Sequence, residues 1–288
     1  MQWNRNICIL SIIITFFISS PVVDAEQQPS MDVHFIDVGQ GDSILVETPS
    51  DKNILIDGGP PGAGKKVIAF LEEQNVDKLD LLIATHPDID HIGGLIDVMK
   101  SVEVDRIMDT GKIHSTRTYA RYISQILKRQ IPIEIAERND LLKIDPLLDV
   151  RILNTHSGSQ TTNESSIVLK ITFNKMDFLL MSDVKKEQEK RLIKQHNLAS
   201  EILKVAHHGS NTSTSLKFLR AVSPNAAILT YGKKNDYGHP VDRVMENLHK
   251  VNTAIYPTAV FGDITIRTDG KGFIIFNENN PASSLRTG

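Results

Sequence analysis

Asp80-Leu81-Leu82-Ile83-Ala84-Thr85-His86-Pro87-Asp88-Ile89-Asp90-His91-Ile92-Gly93-Gly94 is the stretch that decides how this chain is read. Residues 80–84 are short and apolar after the first position, the pattern of a strand buried on both faces. Immediately beyond, the composition changes to two histidines and two aspartates. The alternation of an extended backbone places residues 86, 88 and 90 on one side, and His91 follows where a turn enters a helix opened by Gly93-Gly94. Carboxylates and imidazoles are costly to bury without partners, so four of them at one strand end read as a metal-ligating cluster.

Similar chemistry recurs at other strand ends. Asp183 follows the apolar run Phe178-Leu179-Leu180-Met181-Ser182; it reads either as a ligand or as the N-cap of a helix starting at Val184. His207-His208-Gly209-Ser210 closes a strand over 202–206. Its two adjacent imidazoles are expected on opposite sides, one on a metal and the other facing substrate or a carboxylate, with neither assigned. His239, held between Gly238 and Pro240, is a further candidate. Clusters placed just past strand ends imply two packed sheets with helices outside and a site along one sheet edge.

The other elements fit that plan. Residues 32–57 alternate as paired strands broken at Gly39-Gln40-Gly41, and helices are expected over 65–74, 117–128, 184–195, 215–221 and 241–251. Further strands fall within 104–153, at 166–173, 177–181 and 226–231, and near the end up to Phe276. Arg5, an apolar run over 7–18 and Val23-Asp24-Ala25 read as a secretory signal over 1–25, with a linker over 26–31. That run is about a dozen residues, short of the roughly 18–20 a membrane span requires, so no stable span is expected after cleavage; an uncleaved anchor is the alternative. The protein is therefore expected to be secreted or extracytoplasmic.

The single cysteine, Cys8, lies in that signal, which excludes disulfides and thiolate ligands from the mature chain. The remainder suits one α/β domain over 32–276 with a flexible tail over 277–288. A net charge of −3 excludes a global basic field for holding nucleic acid.

Taken together, the motifs carry a family resemblance. The form His-x-Asp-x-Asp-His-x-Gly-Gly from His86 to Gly94 resembles the first metal motif of the metallo-β-lactamase superfamily, and within it the soluble domain of ComEC-type DNA-uptake proteins. Val38-Gly39-Gln40-Gly41-Asp42, Ile56-Asp57-Gly58-Gly59, Asn163 with Ser165, Ser182-Asp183, His207-His208-Gly209-Ser210 and Tyr237-Gly238-His239-Pro240 extend the likeness over about 32–276.

The resemblance implies an αββα sandwich and a hydrolase with two divalent metal ions. His86 and Asp88 would hold one ion, Asp90, His91 and His208 the other, with Asp183 bridging. His207 or His239 would donate a hydrogen bond to a phosphate or protonate the leaving oxygen. Asn163 and the groups of Gly209-Ser210-Asn211 would contact substrate, while Asp42 and Asp57 read as supporting or turn residues. The sequence also departs from the family: Asp88 replaces its second histidine, and its later solitary histidine falls near Thr162 or Asn163, with His156 too far upstream. A carboxylate-rich site without cysteine makes Mn²⁺ a competitor to Zn²⁺.

The expected substrate is a phosphodiester, with extracellular DNA or RNA foremost. Arg117, Arg121, Lys128 and Arg129 form either a strip for a polyanion or a solvated helix face. The alternatives are a lactam or lactone hydrolase and a non-catalytic binding or accessory protein that keeps this fold.

Overall fold

The computed structural model describes residues 28–156, 158 and 161–279. The expected signal over 1–25 and the tail beyond residue 279 lie outside them. The first tail residues are tied down, contrary to expectation: Asn277 ends a strand, and the Glu278 and Asn279 amides donate to the carbonyls of Asp263 and Phe261.

Alternation in the early strands generates the layers. Val33, Phe35, Ile44, Val46, Ile54 and Ile56 point to one side of the first sheet and join Leu169, Ile171, Phe178 and Leu180 of the second in one buried cluster. Residues of opposite parity turn outward. Leu45, Leu55 and Leu82 pack beneath helices Gly64–Glu73, Leu95–Ser101 and Arg117–Arg129. Leu179, Leu203 and Ala227 pack beneath Lys186–Gln195, Leu216–Val222 and Asp242–Lys250. Each fully buried aliphatic or aromatic side chain contributes about 1.5–3 kcal/mol, so both faces of both sheets stabilise the αββα sandwich.

Among the described residues the first sheet has eight strands, in the order Phe273–Asn277, Ile264–Thr268, Met31–Phe35, Ile44–Glu47, Asn53–Ile56, Leu81–Ile83, Ile107–Asp109 and Ile133–Ile135. The second has seven, from Ala254–Pro257 through Ala226–Leu229, Ile202–Lys204, Met176–Leu180, Val168–Phe173 and Leu148–Asn154 to Leu141–Leu142. The final hairpin returns to the first strand, with Met31 opposite Thr268, and Arg267 donates to Asp32 across 235 residues of sequence.

Among the described residues, four neighbouring strands of each sheet run parallel: those ending at Ile56, Ile83, Asp109 and Ile135, and those ending at Leu180, Lys204, Leu229 and Pro257. Their carboxyl ends meet along a shared edge, the usual place for ligands in parallel sheets. There the Ile167 amide donates to the Thr85 carbonyl (2.9 Å) and the Ser182 hydroxyl to Thr85 Oγ1 (2.7 Å).

Two local expectations change at this edge. The extended path from His86 stops at Asp88 (φ −74°, ψ 150°), and Asp90 and His91 lie in a short helix, Ile89–Ile92. That helix sits against the Gly58-Gly59 turn so closely that a Cβ at Gly94 would fall 1.9 Å from the Gly58 carbonyl oxygen, which only glycine permits. The helix expected from Val184 starts at Lys186 with Lys185 as its N-cap. Asp183 is therefore not a cap.

Lys204, fully buried at the end of its strand, donates to the Asp42 carboxylate at 2.7 Å and to the Val205 carbonyl at 3.0 Å, joining the two sheets below the site. Removing one member of a buried ion pair strands the other in a low-dielectric interior. Lys204→Met is expected to destabilise the fold by about 3–5 kcal/mol in urea unfolding, and adding Asp42→Asn should recover most of that loss.

Candidate metal centre

The site is assembled around the carboxylate of Asp183, which is buried at the end of strand Met176–Leu180. Four imidazole nitrogens surround its Oδ2: Nε2 of His91 at 3.5 Å, His208 at 3.5 Å, His207 at 3.6 Å and His86 at 3.9 Å. Asp88 Oδ2 lies 3.5 Å from His86 Nε2, and Asp90 Oδ2 lies 3.4 Å from His208 Nε2. Charge-assisted hydrogen bonds are usually about 2.7–2.9 Å, so these contacts are Coulombic. The Nε2 atoms of His86, His91 and His208 and Oδ1 of Asp183 are buried without any hydrogen-bond partner.

The other nitrogen of each buried ring is held firmly. His91 Nδ1 donates to Asp57 Oδ2 at 2.7 Å, and His208 Nδ1 donates to the Thr230 carbonyl at 2.7 Å. Thr85 gives its hydroxyl proton to Asp57 Oδ2 (2.6 Å), which leaves its oxygen to accept from His86 Nδ1 (3.1 Å). In the neutral imidazole a proton on Nδ1 leaves a lone pair on Nε2, so three lone pairs converge on one carboxylate. Fixing the outer nitrogen in this way is the usual support for a metal-binding histidine. In that neutral form lone pairs and carboxylates face one another, the arrangement a divalent cation satisfies.

The clusters His86-His91-Asp183 and Asp90-His91-His208 each place ligand atoms within 4.8 Å of one another. A third such group, Asp32-His34-Glu47, is different, since His34 bonds Thr265 through Nδ1 and Glu47 through Nε2, and Arg267 holds Asp32. It is already satisfied.

His207 departs from expectation. His207, His208 and Gly209 have φ of 51°, 53° and 81°, three consecutive left-handed residues, and this turn aims both imidazoles at Asp183 rather than to opposite sides. A non-glycine residue in that region costs on the order of 1 kcal/mol or more, a strain that persists where the surroundings over-determine it. His207 Nδ1 lies 3.0 Å from Thr212 Oγ1, and its Nε2 faces the Asn163 amide nitrogen at 3.4 Å. Asn163, which with Thr162 marks where the resemblance would put its solitary histidine, also reaches Asp183 Oδ2 at 3.5 Å.

Asn163, His207 and His239 border an open cavity of about 220 Å³ together with Asp88, Asp90 and Asp183. Ser210 and Asn211 are not part of its wall. Ser210 Oγ instead bonds Thr212, and Asn211 Oδ1 accepts from Arg243 Nε at 2.9 Å, so both brace the loop. Arg117, Arg121, Lys128 and Arg129 are exposed on their helix, clear of the cavity wall. Thr85, Thr212, Thr230 and Lys204 all support the site without having been singled out from sequence. Asp57, read as a supporting residue, is fully buried behind His91.

Burial alone would raise the Asp183 carboxyl, but His208 and His91 beside it hold it well below the usual range. Burial would likewise lower His208; Asp183 and Asp42 outweigh this and push it up to about 10. His91 is raised well above its ordinary value in the same way, by Asp183 and Asp57. His207 and His239 are lowered, chiefly by burial.

Residues 36–233 match the family model described as metallo-beta-lactamase superfamily. The chain is 32% identical over 255 residues to ComE operon protein 3 of Bacillus subtilis (strain 168), covering 82% of this chain and 33% of that protein. It is 30% identical over 229 residues to competence protein ComA of Neisseria gonorrhoeae, covering 78% and 30% respectively. The chain thus spans about a third of the length of these curated relatives. Among solved structures, the metallo-beta-lactamase fold protein YhfI from Bacillus subtilis superposes with a TM-score of 0.54 at 12% identity, covering 86% of this chain and 100% of that one. CmlA, a diiron beta-hydroxylase from Streptomyces venezuelae, gives 0.56 at 14% identity, covering 82% and 54%. These two likenesses show the fold.

Two tests follow from the geometry. Protons on His91 and His208 must leave before a cation binds, so metal affinity should rise with pH towards about 10 for His208, with proton uptake by the buffer visible in calorimetry. The sign is reversed for folding without metal: the raised imidazoles stabilise the fold at low pH, and this contribution is lost as pH rises through their folded values. Asp57→Asn, which loosens the His91 ring, should weaken metal binding by about 10- to 100-fold.

Proposed function

The chain belongs to the metallo-beta-lactamase superfamily, and on that premise we propose that it is an exported, metal-dependent phosphodiesterase acting on extracellular nucleic acid. The observation that carries this reading is the convergence of buried, unpartnered Nε2 atoms on Asp183. The resemblance to ComEC-type DNA-uptake proteins supports a link with DNA, and the names of the relatives, ComE operon protein 3 and competence protein ComA, support a link with competence.

The donors divide into two similar sets that share Asp183. One comprises Asp90, His91 and His208; the other comprises His86, Asp88 and His207. His207 takes the place left by the family's solitary histidine, since Thr212 occupies its Nδ1 and the Asn163 amide faces its Nε2. Four imidazoles and three carboxylates without sulfur suit Zn²⁺ or Mn²⁺. Two divalent cations there would polarise a phosphoryl oxygen and acidify a water.

The remaining cavity groups orient the substrate. His239 borders the cavity, and burial with His207 and His208 nearby lowers its imidazole. The lowering favours the neutral ring, which donates a hydrogen bond to a phosphate or leaving oxygen rather than delivering a full proton as an imidazolium would. Asn163 offers an amide beside the shared carboxylate. Asp57 and Thr85 hold the His91 and His86 rings while charge develops.

The test uses metal-stripped mature protein with Mn²⁺ or Zn²⁺ added back, assayed on bis-p-nitrophenyl phosphate and on DNA. Activity should return with metal, and Asp183→Asn should lower it by at least about 100-fold. His207→Ala should bind one ion fewer per chain by elemental analysis, whereas His239→Ala should keep the full complement and lose turnover. Silence with every metal, or an unchanged count in His207→Ala, would overturn the corresponding assignment.

A further inference from the structure

The cavity over the metal-binding groups, about 220 Å³, is smaller than the ~300–1,000 Å³ in which proteins usually enclose a small ligand. It has room for a phosphate and part of a sugar, so the rest of a nucleotide lies across its rim. The rim on the His239 side is aromatic. Tyr237 is 69% exposed, with its ring centroid 5.6 Å from that of His239 and the planes 22° apart. His239 in turn lies 6.5 Å from His208 at 29°. His208, His239 and Tyr237 thus form a stepped series of stacked rings from a metal-binding imidazole towards solvent, and Tyr237 at its outer end is exposed.

The loop that carries this ring is built to hold it. Asn235 Oδ1 accepts from the amides of Tyr237 (3.2 Å) and His239 (3.0 Å), while its Nδ2 donates to the carbonyls of Gly232 and His239. Lys233 and Lys234 in the same loop are exposed, and among the described residues neither has a carboxylate partner. An isolated exposed tyrosine needs no explanation. An open aromatic face in line with the reacting groups, on a braced loop with unpaired lysines, is the combination that receives single-stranded nucleic acid, where aromatics stack the bases and cations meet the phosphates.

We propose that Tyr237 is the stacking platform for the nucleobase next to the reacting phosphate, so that the site takes unpaired strands and not the interior of a duplex. The inference rests on the phosphodiesterase reading above and names its substrate class. Bases inside a duplex already stack on one another and present no free face. An unpaired base presents one at the ~4.5–7 Å ring separation typical of aromatic pairs.

The experiment compares a fluorescent single-stranded oligothymidylate with a strand of the same length carrying abasic residues. Binding to the metal-stripped protein is read by anisotropy, and cleavage is read with Mn²⁺ added back. Wild type should bind the base-bearing strand about tenfold more tightly than the abasic one; Tyr237→Ala should erase that difference and Tyr237→Trp should keep it. Equal binding of both strands by wild type, or an undiminished preference in Tyr237→Ala, would overturn the platform even if phosphodiesters are cleaved. Base-dependent binding without cleavage by any metal form would support the platform and overturn the proposed catalytic function instead. A blunt duplex binding as tightly as the oligothymidylate would overturn the single-strand preference.

Discussion

A single buried carboxylate, facing four imidazole nitrogens at 3.5–3.9 Å, is the interaction on which the centre depends. None of these groups would persist in an apolar interior by itself, because removing polar atoms from water without compensation costs several kcal/mol. Each is therefore held from behind. Asp57 and Thr85 hold His91 and His86, the Thr230 carbonyl holds His208, and the buried Lys204–Asp42 pair closes the space beneath. The layers of the sandwich bring these supports together, since Asp57, Thr85 and Thr230 follow the carboxyl ends of three different strands and Lys204 ends a fourth. Hydrophobic burial makes the sheets, and the satisfied outer nitrogens make the edge a defined site.

The same division explains what could be read from residues alone. Alternation over 32–57 and the apolar runs at 80–84 and 178–182 specify buried strands through a local period, and all three appear in the sheets. The ligating character of residues 86–91 was legible because so many costly groups crowd one strand end. The path of those residues was not: Asp90 reaches the centre from a short helix, whose position depends on the close approach of Gly94 to Gly58 far back in the chain. The paired orientation of His207 and His208 depends on left-handed backbone angles that histidine does not signal. The burial of Lys204 carries no local signal, because its partner Asp42 lies 162 residues earlier, in the loop that precedes Ile44–Glu47. Ser210 and Asn211 fit an anion cradle by type, yet Arg243 from a later helix engages that loop instead.

The strained turn at 207–209 and the tight packing around it belong together. A Cβ at Gly209 would lie 2.6 Å from Pro240 Cβ, so the histidine loop and the Tyr237–Pro240 loop are in contact. Likewise a Cβ at Gly41 would lie 2.2 Å from the Asp90 carbonyl oxygen, which ties the early loop to the first metal motif. Glycine at these points lets backbones touch where side chains would separate the ligands. The motif glycines and the motif histidines are thus parts of one steric arrangement.

The return of the last hairpin to the first strand has a bearing on when the molecule becomes complete. Met31–Phe35 gains its second neighbour only when residues 264–268 arrive, and Val33 and Phe35 belong to the central cluster between the sheets. A ribosome delivers that partner some 235 residues after the first strand, and contacts so distant in sequence form slowly. Until then the nascent polypeptide has an unpaired strand edge and a partly open interior. That interval keeps the chain pliable enough to be threaded or escorted, and it also leaves it vulnerable to association with other copies.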